Sequence, residues 1–137
     1  MKVLCGLFLV FLVLSSCSFY EDNYNIYDDD MAIINNRNRY IKRGSSQNSR
    51  GNMYSHRVNG SFTGIDSIRS IDSSTRLDVD LSITSGRFKL VLVGDNEVIL
   101  VTDESVRQTF QFPEIEGGSY RLKMVGDGAT FNLEVRF

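Results

Sequence analysis

The side chains best suited to catalysis in this 137-residue chain are two aspartates, Asp78 and Asp80. They alternate with apolar residues on a predicted β-strand, so both carboxylates point from one face, about 7 Å apart. That separation suits an inverting glycosidase, in which a carboxylic acid protonates the leaving group and a carboxylate activates water. An exposed strand face produces the same spacing, and nothing else in the sequence indicates a sugar cleft. We therefore interpret the pair as part of a solvated face.

Histidine chemistry has one candidate, His56, near the start of the predicted domain. No Gly-x-Ser-x-Gly elbow supplies a serine nucleophile, and cysteines occur only at positions 5 and 17. A lone histidine without catalytic partners is predicted to be a surface residue with no special role. The sequence therefore predicts that the protein is not an enzyme.

Two further groups of residues have types suited to binding. One group consists of aspartates in predicted loops, where a calcium ion could bridge two turns at one end of a sandwich. These are Asp66, Asp95, Asp103 and Asp127. Turn formation alone explains each of them, so no cofactor is predicted and calcium is the weaker alternative. The other group would form a polar sheet face able to bind an acidic polymer: Arg107, Gln111, Arg121 and Lys123.

Alternation of apolar and polar residues predicts the strands that carry these side chains. In residues 77–84 every odd position is aliphatic and every even position is polar, which is typical of an antiparallel strand with one face on a core. Residues 88–93 and 98–101 are apolar nearly throughout and are predicted to be central strands, joined by a hairpin turn at 94–97. Further strands are predicted at residues 106–112, 120–124 and 130–137, with weaker ones at 57–63 and 65–71.

Turn-forming residues separate these predicted strands. Ser85-Gly86 and Asp127-Gly128 are typical of strand ends and hairpins because glycine tolerates positive φ. Pro113 ends a strand, since proline cannot donate to a ladder. Seven or eight short strands without a helical stretch predict an all-β fold, an antiparallel β-sandwich of jelly-roll or immunoglobulin-like wiring. Strand order does not follow from the spacing.

The segment before residue 54 differs in composition from the predicted domain at 54–137. Residues 18–53 are polar and lack a sustained period of 2 or 3.6, and residues 44–52 are typical of a linker. We predict that residues 17–53 form a flexible tether. Residues 31–34 are the local exception, because Met-Ala-Ile-Ile favours a helical turn or a short strand against the domain.

The first 16 residues are predicted to be a signal peptide. Lys2 precedes an apolar run of about a dozen residues, whereas a membrane-spanning helix needs roughly 20. Leu14-Ser15-Ser16-Cys17 then resembles the lipobox of bacterial lipoproteins. The resemblance implies that Cys17 receives a diacylglycerol thioether and holds the chain on a bilayer. An ordinary signal peptide, with Cys17 incidental, is the alternative.

A second, looser resemblance covers residues 76–137. A Gly-Arg-Phe-Lys-Leu strand, a Gly-Asp-Asn turn and the run Gly-Gly-Ser-Tyr-Arg-Leu occur there in that order. This order resembles small sandwich domains appended to secreted bacterial proteases and short bacterial lipoproteins. The resemblance implies a binding or accessory module without catalytic residues.

Composition and the signal lead to one hypothesis about function. A formal net charge of −2 disfavours a nucleic-acid partner, and the predicted domain has no cysteine for a disulfide or zinc site. We expect an exported lipoprotein, facing the periplasm or the exterior, whose sandwich domain makes a binding or structural contact. Its expected partners are the lipid bilayer, through Cys17, and an envelope protein or cell-wall polymer. A carbohydrate- or calcium-binding accessory module is the alternative.

Overall fold

A computed structural model of the chain describes residues 26–35, 39–41, 44–115 and 118–137. A short 3-10 turn (Ile26–Asp28) and one helix, α1 (Asp30–Asn35), precede seven antiparallel strands in these residues. The strands are β1 (Arg39–Ile41), β2 (Ser45–Arg50), β3 (Met53–Ile71), β4 (Arg76–Val93), β5 (Val98–Thr102), β6 (Val106–Gln111) and β7 (Tyr120–Arg136). The predicted all-β antiparallel fold is confirmed.

Three of the strands are much longer than the sequence predicts. β3, β4 and β7 contain 19, 18 and 17 residues, and each joins two segments that were expected to be separate strands. The order in the sheet is β1-β3-β7-β4-β5, with β2 paired to β3 and β6 paired to β4. The last long strand therefore lies between the first two.

The long strands bend so that one sheet packs against itself. Arg69 Nη2 lies 3.1 Å from the carbonyl oxygen of Gly51, 18 positions earlier in the chain. The guanidinium of Arg69 also lies 4.6 Å from the ring centroid of Phe137. An extended chain of that length would span about 60 Å, so the two ends of β3 are brought together by bending. The two halves of the sheet form the layers of a sandwich.

Each layer contains one half of every long strand. The first layer contains β2, the start of β3, the end of β7, the start of β4, and β6. The second layer contains the end of β3, the start of β7, the end of β4, and β5. Side chains from both layers meet in one apolar core, which includes Tyr54, Val58, Leu77, Leu81, Phe88, Leu90, Leu122, Met124, Phe131 and Leu133.

Glycines mark the places where the long strands bend. Gly86 and Gly128 have φ angles of +74° and +60°, and the pairing of β4 with β7 shifts register between Ile83 and Arg87. A Cβ atom at Gly86 would overlap the carbonyl oxygen of Gly128. The predictions that Ser85-Gly86 and Asp127-Gly128 end strands are therefore wrong. Both glycines bend continuous strands, as they do at β-bulges.

Residues 26–35 cover the outer face of the second layer. Ile33 is fully buried and packs in a second apolar cluster with Ile65, Val91 and Val125. The backbone N–H of Ala32 donates to Asp29 Oδ1 at 3.0 Å, which satisfies one of the free donors at the start of the helix. The expectation that residues 31–34 form ordered structure against the domain is confirmed as helix.

The prediction of a flexible tether through residue 53 is wrong for the residues that the structure describes. Besides α1, the linker-like segment forms β2, which pairs with residues 53–58 of β3 without a register shift. All six β2 residues are exposed, so the pairing depends on the backbone and not on apolar side chains. Gly51, with φ of +58°, connects the two strands in a tight turn.

Candidate functional site

The outer face of the first layer carries a shallow pocket of about 320 Å³. Alternation along three neighbouring strands places polar side chains on this face, with Asp80 opposite both Arg107 of β6 and Glu134 of β7. The charged and hydroxyl side chains that line the pocket are Asp78, Asp80, Arg107, Thr109, Glu134 and Arg136.

The carboxylates of this pocket are paired with guanidinium groups. Asp80 lies 3.1 Å from Arg107, and Glu134 lies 2.6 Å from Arg136. Asp78 Oδ1 accepts a hydrogen bond of 2.6 Å from the Thr109 hydroxyl. That bond, together with nearby Arg76, lowers the pKa of Asp78. Asp78 is therefore a carboxylate at neutral pH.

An inverting glycosidase needs one carboxylic acid whose pKa is raised so that it can donate a proton. Asp78 has the opposite shift, because its ionised form is stabilised by Thr109 and Arg76. Asp80 lies 3.1 Å from Arg107 in an ion pair between exposed side chains. The geometry therefore supports a charged, hydrogen-bonding surface at this pocket, as the interpretation of a solvated face predicts.

The predicted ligand face of four polar residues does not exist as one surface. Arg107 and Gln111 lie on β6 in the first layer, whereas Arg121 and Lys123 lie in the part of β7 that belongs to the second layer. The prediction is wrong because it assumed short separate strands, while the bend in β7 carries its two halves into different layers. Arg121 and Lys123 line a different pocket, of about 350 Å³, beside the end of α1.

Lys123 has a structural role that the sequence did not indicate. Its side chain is only 3% exposed. Nζ donates to the carbonyl oxygens of Ile33, at 2.7 Å, and Ile34, at 3.1 Å. These carbonyls belong to the last turn of α1, where the helix has no backbone donors of its own to offer. Lys123 therefore holds α1 on the sheet and is not free to bind a ligand on an open face.

The four aspartates considered for calcium are not brought together. Asp95 and Asp103 lie in the connections after β4 and β5, as predicted. Asp66 and Asp127 lie within β3 and β7, so the prediction that they occupy loops is wrong. For Asp127 the reason is again the bending of a continuous strand where a hairpin was expected, whereas Asp66 lies in residues 65–71, which were also predicted to be a weak strand. Among the residues that the structure describes, no group of three or more His, Cys, Asp or Glu side chains could hold a metal ion.

Asp127 takes part in a cluster that ties the N-terminal segment to the sheet. Arg87 lies 2.9 Å from Asp127 and 3.1 Å from Asp28, and its guanidinium lies 4.4 Å from the ring centroid of Tyr27. The pKa of Arg87 is raised by its hydrogen bonds with Asp127, which is the largest cause, and with Asp28. Burial, followed by the negative charge of Asp103, raises the pKa of Tyr27. Tyr27 and Asp28 lie in a polar stretch whose composition gave no signal for this docking.

His56 is a core residue, so its prediction as a surface histidine is wrong. The side chain is 0% exposed, and its ring lies 6.1 Å from Phe62 and 5.5 Å from Phe131, edge to face in both pairs. Nδ1 lies 3.4 Å from the Tyr54 hydroxyl. Tyr54, His56 and Val58 alternate along β3, and that period of 2 was the signal for burial.

Cys17 and the rest of the predicted sorting signal lie outside the described residues. In the part of the chain that is described, no helix has the length and apolar character to span a membrane. Comparisons with protein-family models, curated proteins and solved structures give no match. The resemblance of residues 76–137 to accessory domains of secreted proteases therefore stays a prediction.

Proposed function

We propose that this chain is an exported lipoprotein, anchored to a bacterial membrane through Cys17, whose sandwich domain binds a partner in the cell envelope. The observation that carries the proposal is the run Leu14-Ser15-Ser16-Cys17 directly after a short apolar segment. Thioether lipidation at such a cysteine, with a second acyl signal, anchors a protein stably. Ser18 after the cysteine resembles lipoproteins sorted to the outer membrane of Gram-negative hosts.

The position of the folded part supports a role close to the bilayer. Ile26 begins the described fold, and residues 18–25 separate it from Cys17. A chain of this length reaches at most about 30 Å when fully extended. An anchor at Cys17 would therefore keep the sandwich near the lipid headgroups, whereas a tether through residue 53 would have let it extend much farther.

Binding is better supported than catalysis by the side chains that the structure describes. The carboxylates of the pocket are held in ion pairs, and the pKa of Asp78 is lowered and not raised. His56 is enclosed by aromatic rings in the core. A charged, hydrogen-bonding surface of this kind is suited to contact with a polar partner.

Lipid labelling in a bacterial host tests the anchor. We expect that cells fed radioactive palmitate label the wild-type chain, and that Cys17→Ala abolishes the label and releases the protein from the membrane fraction. Cys5→Ala is the matched control, because it removes the other cysteine without changing the lipobox. Unchanged labelling and membrane retention of the Cys17→Ala variant would overturn the proposed anchor.

A carbohydrate-binding module is the second candidate, favoured by the pocket of about 320 Å³ with its hydrogen-bonding side chains. Envelope glycans should then raise the melting temperature of the wild type but not of Arg136→Ala. Arg57→Ala, which removes an exposed arginine from β3, is the control. Equal shifts in wild type and Arg136→Ala would exclude this pocket as the sugar site.

A further inference from the structure

β5 is an apolar strand at the edge of the sheet. It stands at the end of the strand order and pairs with β4. The sequence predicted a central strand there, and that prediction is wrong, because an aliphatic run does not reveal strand order. Its five residues, Val98 to Thr102, include no charge. Leu100 is 52% exposed, and no charged side chain or proline protects the strand. Its one irregularity is a register shift at Val101, because Leu90 pairs with Thr102 and Val91 with Leu100.

Apolar surface continues on both sides of β5. On its outer side, a cleft of about 210 Å³ separates it from the N-terminal segment. Val91, Val98, Leu100 and the Tyr27 ring line this cleft, together with the charged Asp30, Lys89 and Asp103. On its inner side, Ile99 and Val101 pack against the main core and stay half-buried. An added strand would therefore bury apolar side chains on both of its faces.

The charges around β5 select between occupants of this edge. Exposed acidic residues precede the strand, Asp95 and Glu97, and follow it, Asp103 and Glu104. If a second copy paired antiparallel about Leu100, Glu97 would stand opposite Asp103 of that copy. Like charges directly opposite each other on neighbouring strands are destabilising. The acidic ends thus disfavour self-association and complement basic groups.

We propose that β5 is the docking edge for an extended segment of a partner protein, with alternating aliphatic residues at its centre and Lys or Arg at both ends. The segment pairs its backbone with the edge of β5 that no other described strand occupies, as in β-strand addition. Its side chains on one face enter the cleft beside Leu100, and its basic ends meet the acidic residues that flank the strand. This inference rests on the binding role proposed above, and it is independent of the lipid anchor.

A synthetic peptide tests the proposal with the full chain purified in detergent. The probe alternates valine and threonine and carries lysines at both ends. We expect it to bind at neutral pH and to slow amide hydrogen exchange in β5. Leu100→Lys should weaken binding by at least about tenfold, since it removes an aliphatic contact and adds a repelled charge. Gln47→Lys places the same charge on the exposed edge strand β2 and should leave binding unchanged.

Further probes separate the parts of the proposal. Methylation of alternate backbone nitrogens of the peptide should abolish binding, because it removes the ladder donors. Equal binding of a peptide with glutamates at both ends would overturn the assigned partner chemistry. No binding of the lysine peptide, equal binding by folded Leu100→Lys, or a dimer formed through β5 would overturn the docking edge. Cys17→Ala should abolish membrane retention while peptide binding persists, so failure of the anchor is distinguishable from failure of the edge.

Discussion

The charged pocket shows how single side chains decide the chemistry of a surface. Thr109 lies opposite Asp78 on the neighbouring strand, and its hydroxyl donates to the carboxylate at 2.6 Å. A hydrogen bond to the charged form of an acid stabilises that form, and here it is the largest cause of the lowered pKa of Asp78. The outer face of the first layer therefore presents alternating positive and negative charges, which suits recognition of a polar partner.

Removing the Thr109 hydroxyl should raise the pKa of Asp78 toward the ordinary value for aspartate. Because the pKa in the folded protein is lowered, ionised Asp78 stabilises the fold above the unfolded-state pKa. That contribution is lost as pH falls through the folded-state pKa. We expect the side-chain carboxyl resonance of Asp78 in Thr109→Val to titrate at higher pH in NMR spectra. Thr84→Val, an exposed change on β4, is the control and should leave the titration of Asp78 unchanged.

At the scale of elements, local patterns identified which residues point inward but not where strands end. Leu77, Val79 and Leu81 are buried, as their alternation predicts, and inward positions become even-numbered at Phe88 after the bend. A Ser-Gly pair such as Ser85-Gly86 occurs both at hairpin turns and at bends within a continuous strand, so it does not distinguish the two. Only the long-range pairing with β7 decides between the two, and that pairing is not visible locally.

Gly86→Ala tests whether the bend needs glycine. The residue has φ of +74°, and a Cβ atom would overlap the carbonyl oxygen of Gly128. Left-handed backbone and overpacking together should cost about 2–4 kcal/mol of the free energy of unfolding. Urea denaturation measures the loss, with Gly44→Ala as the control, because no atom lies within 4 Å of a Cβ there. Equal stability of both variants would contradict the bulge.

Lys123→Met tests the attachment of α1. The methionine keeps most of the length of the side chain but cannot donate to the carbonyls of Ile33 and Ile34. Leaving partly buried acceptors without their donor should cost about 1–3 kcal/mol of the free energy of unfolding. Hydrogen exchange should also become faster in residues 30–35. Arg107→Met, an exposed change on β6 in the other layer, should leave exchange in this helix unchanged, and equal acceleration by both would contradict a specific role for Lys123.

For the whole molecule, the alternating pattern was enough to predict an all-β sandwich, whereas the partners of its two outer faces were not predictable. One outer face is polar, as Asp78 and Asp80 indicated, and both of these side chains are exposed among the described residues. The other is apolar at Ile65, Val91 and Val125, and its cover comes from a segment whose polar composition resembles a linker. Few apolar residues are needed for such a cover, so composition averaged over a window hides them.

The N-terminal cover predicts how the molecule responds to truncation. Without residues 26–52, the second layer would expose Ile65, Val91 and Val125 to water, and Lys123 would lose its carbonyl partners. Ile33 is fully buried, and burial of one such side chain contributes about 1.5–3 kcal/mol to the free energy of unfolding. A chain beginning at Met53 should therefore unfold at lower urea concentration than one beginning at Ile26, and should bind hydrophobic dye. If both chains unfold at the same urea midpoint, residues 26–52 do not contribute to the stability of the sandwich. If only the longer chain is stable, residues 26–52 are an essential part of the folded unit.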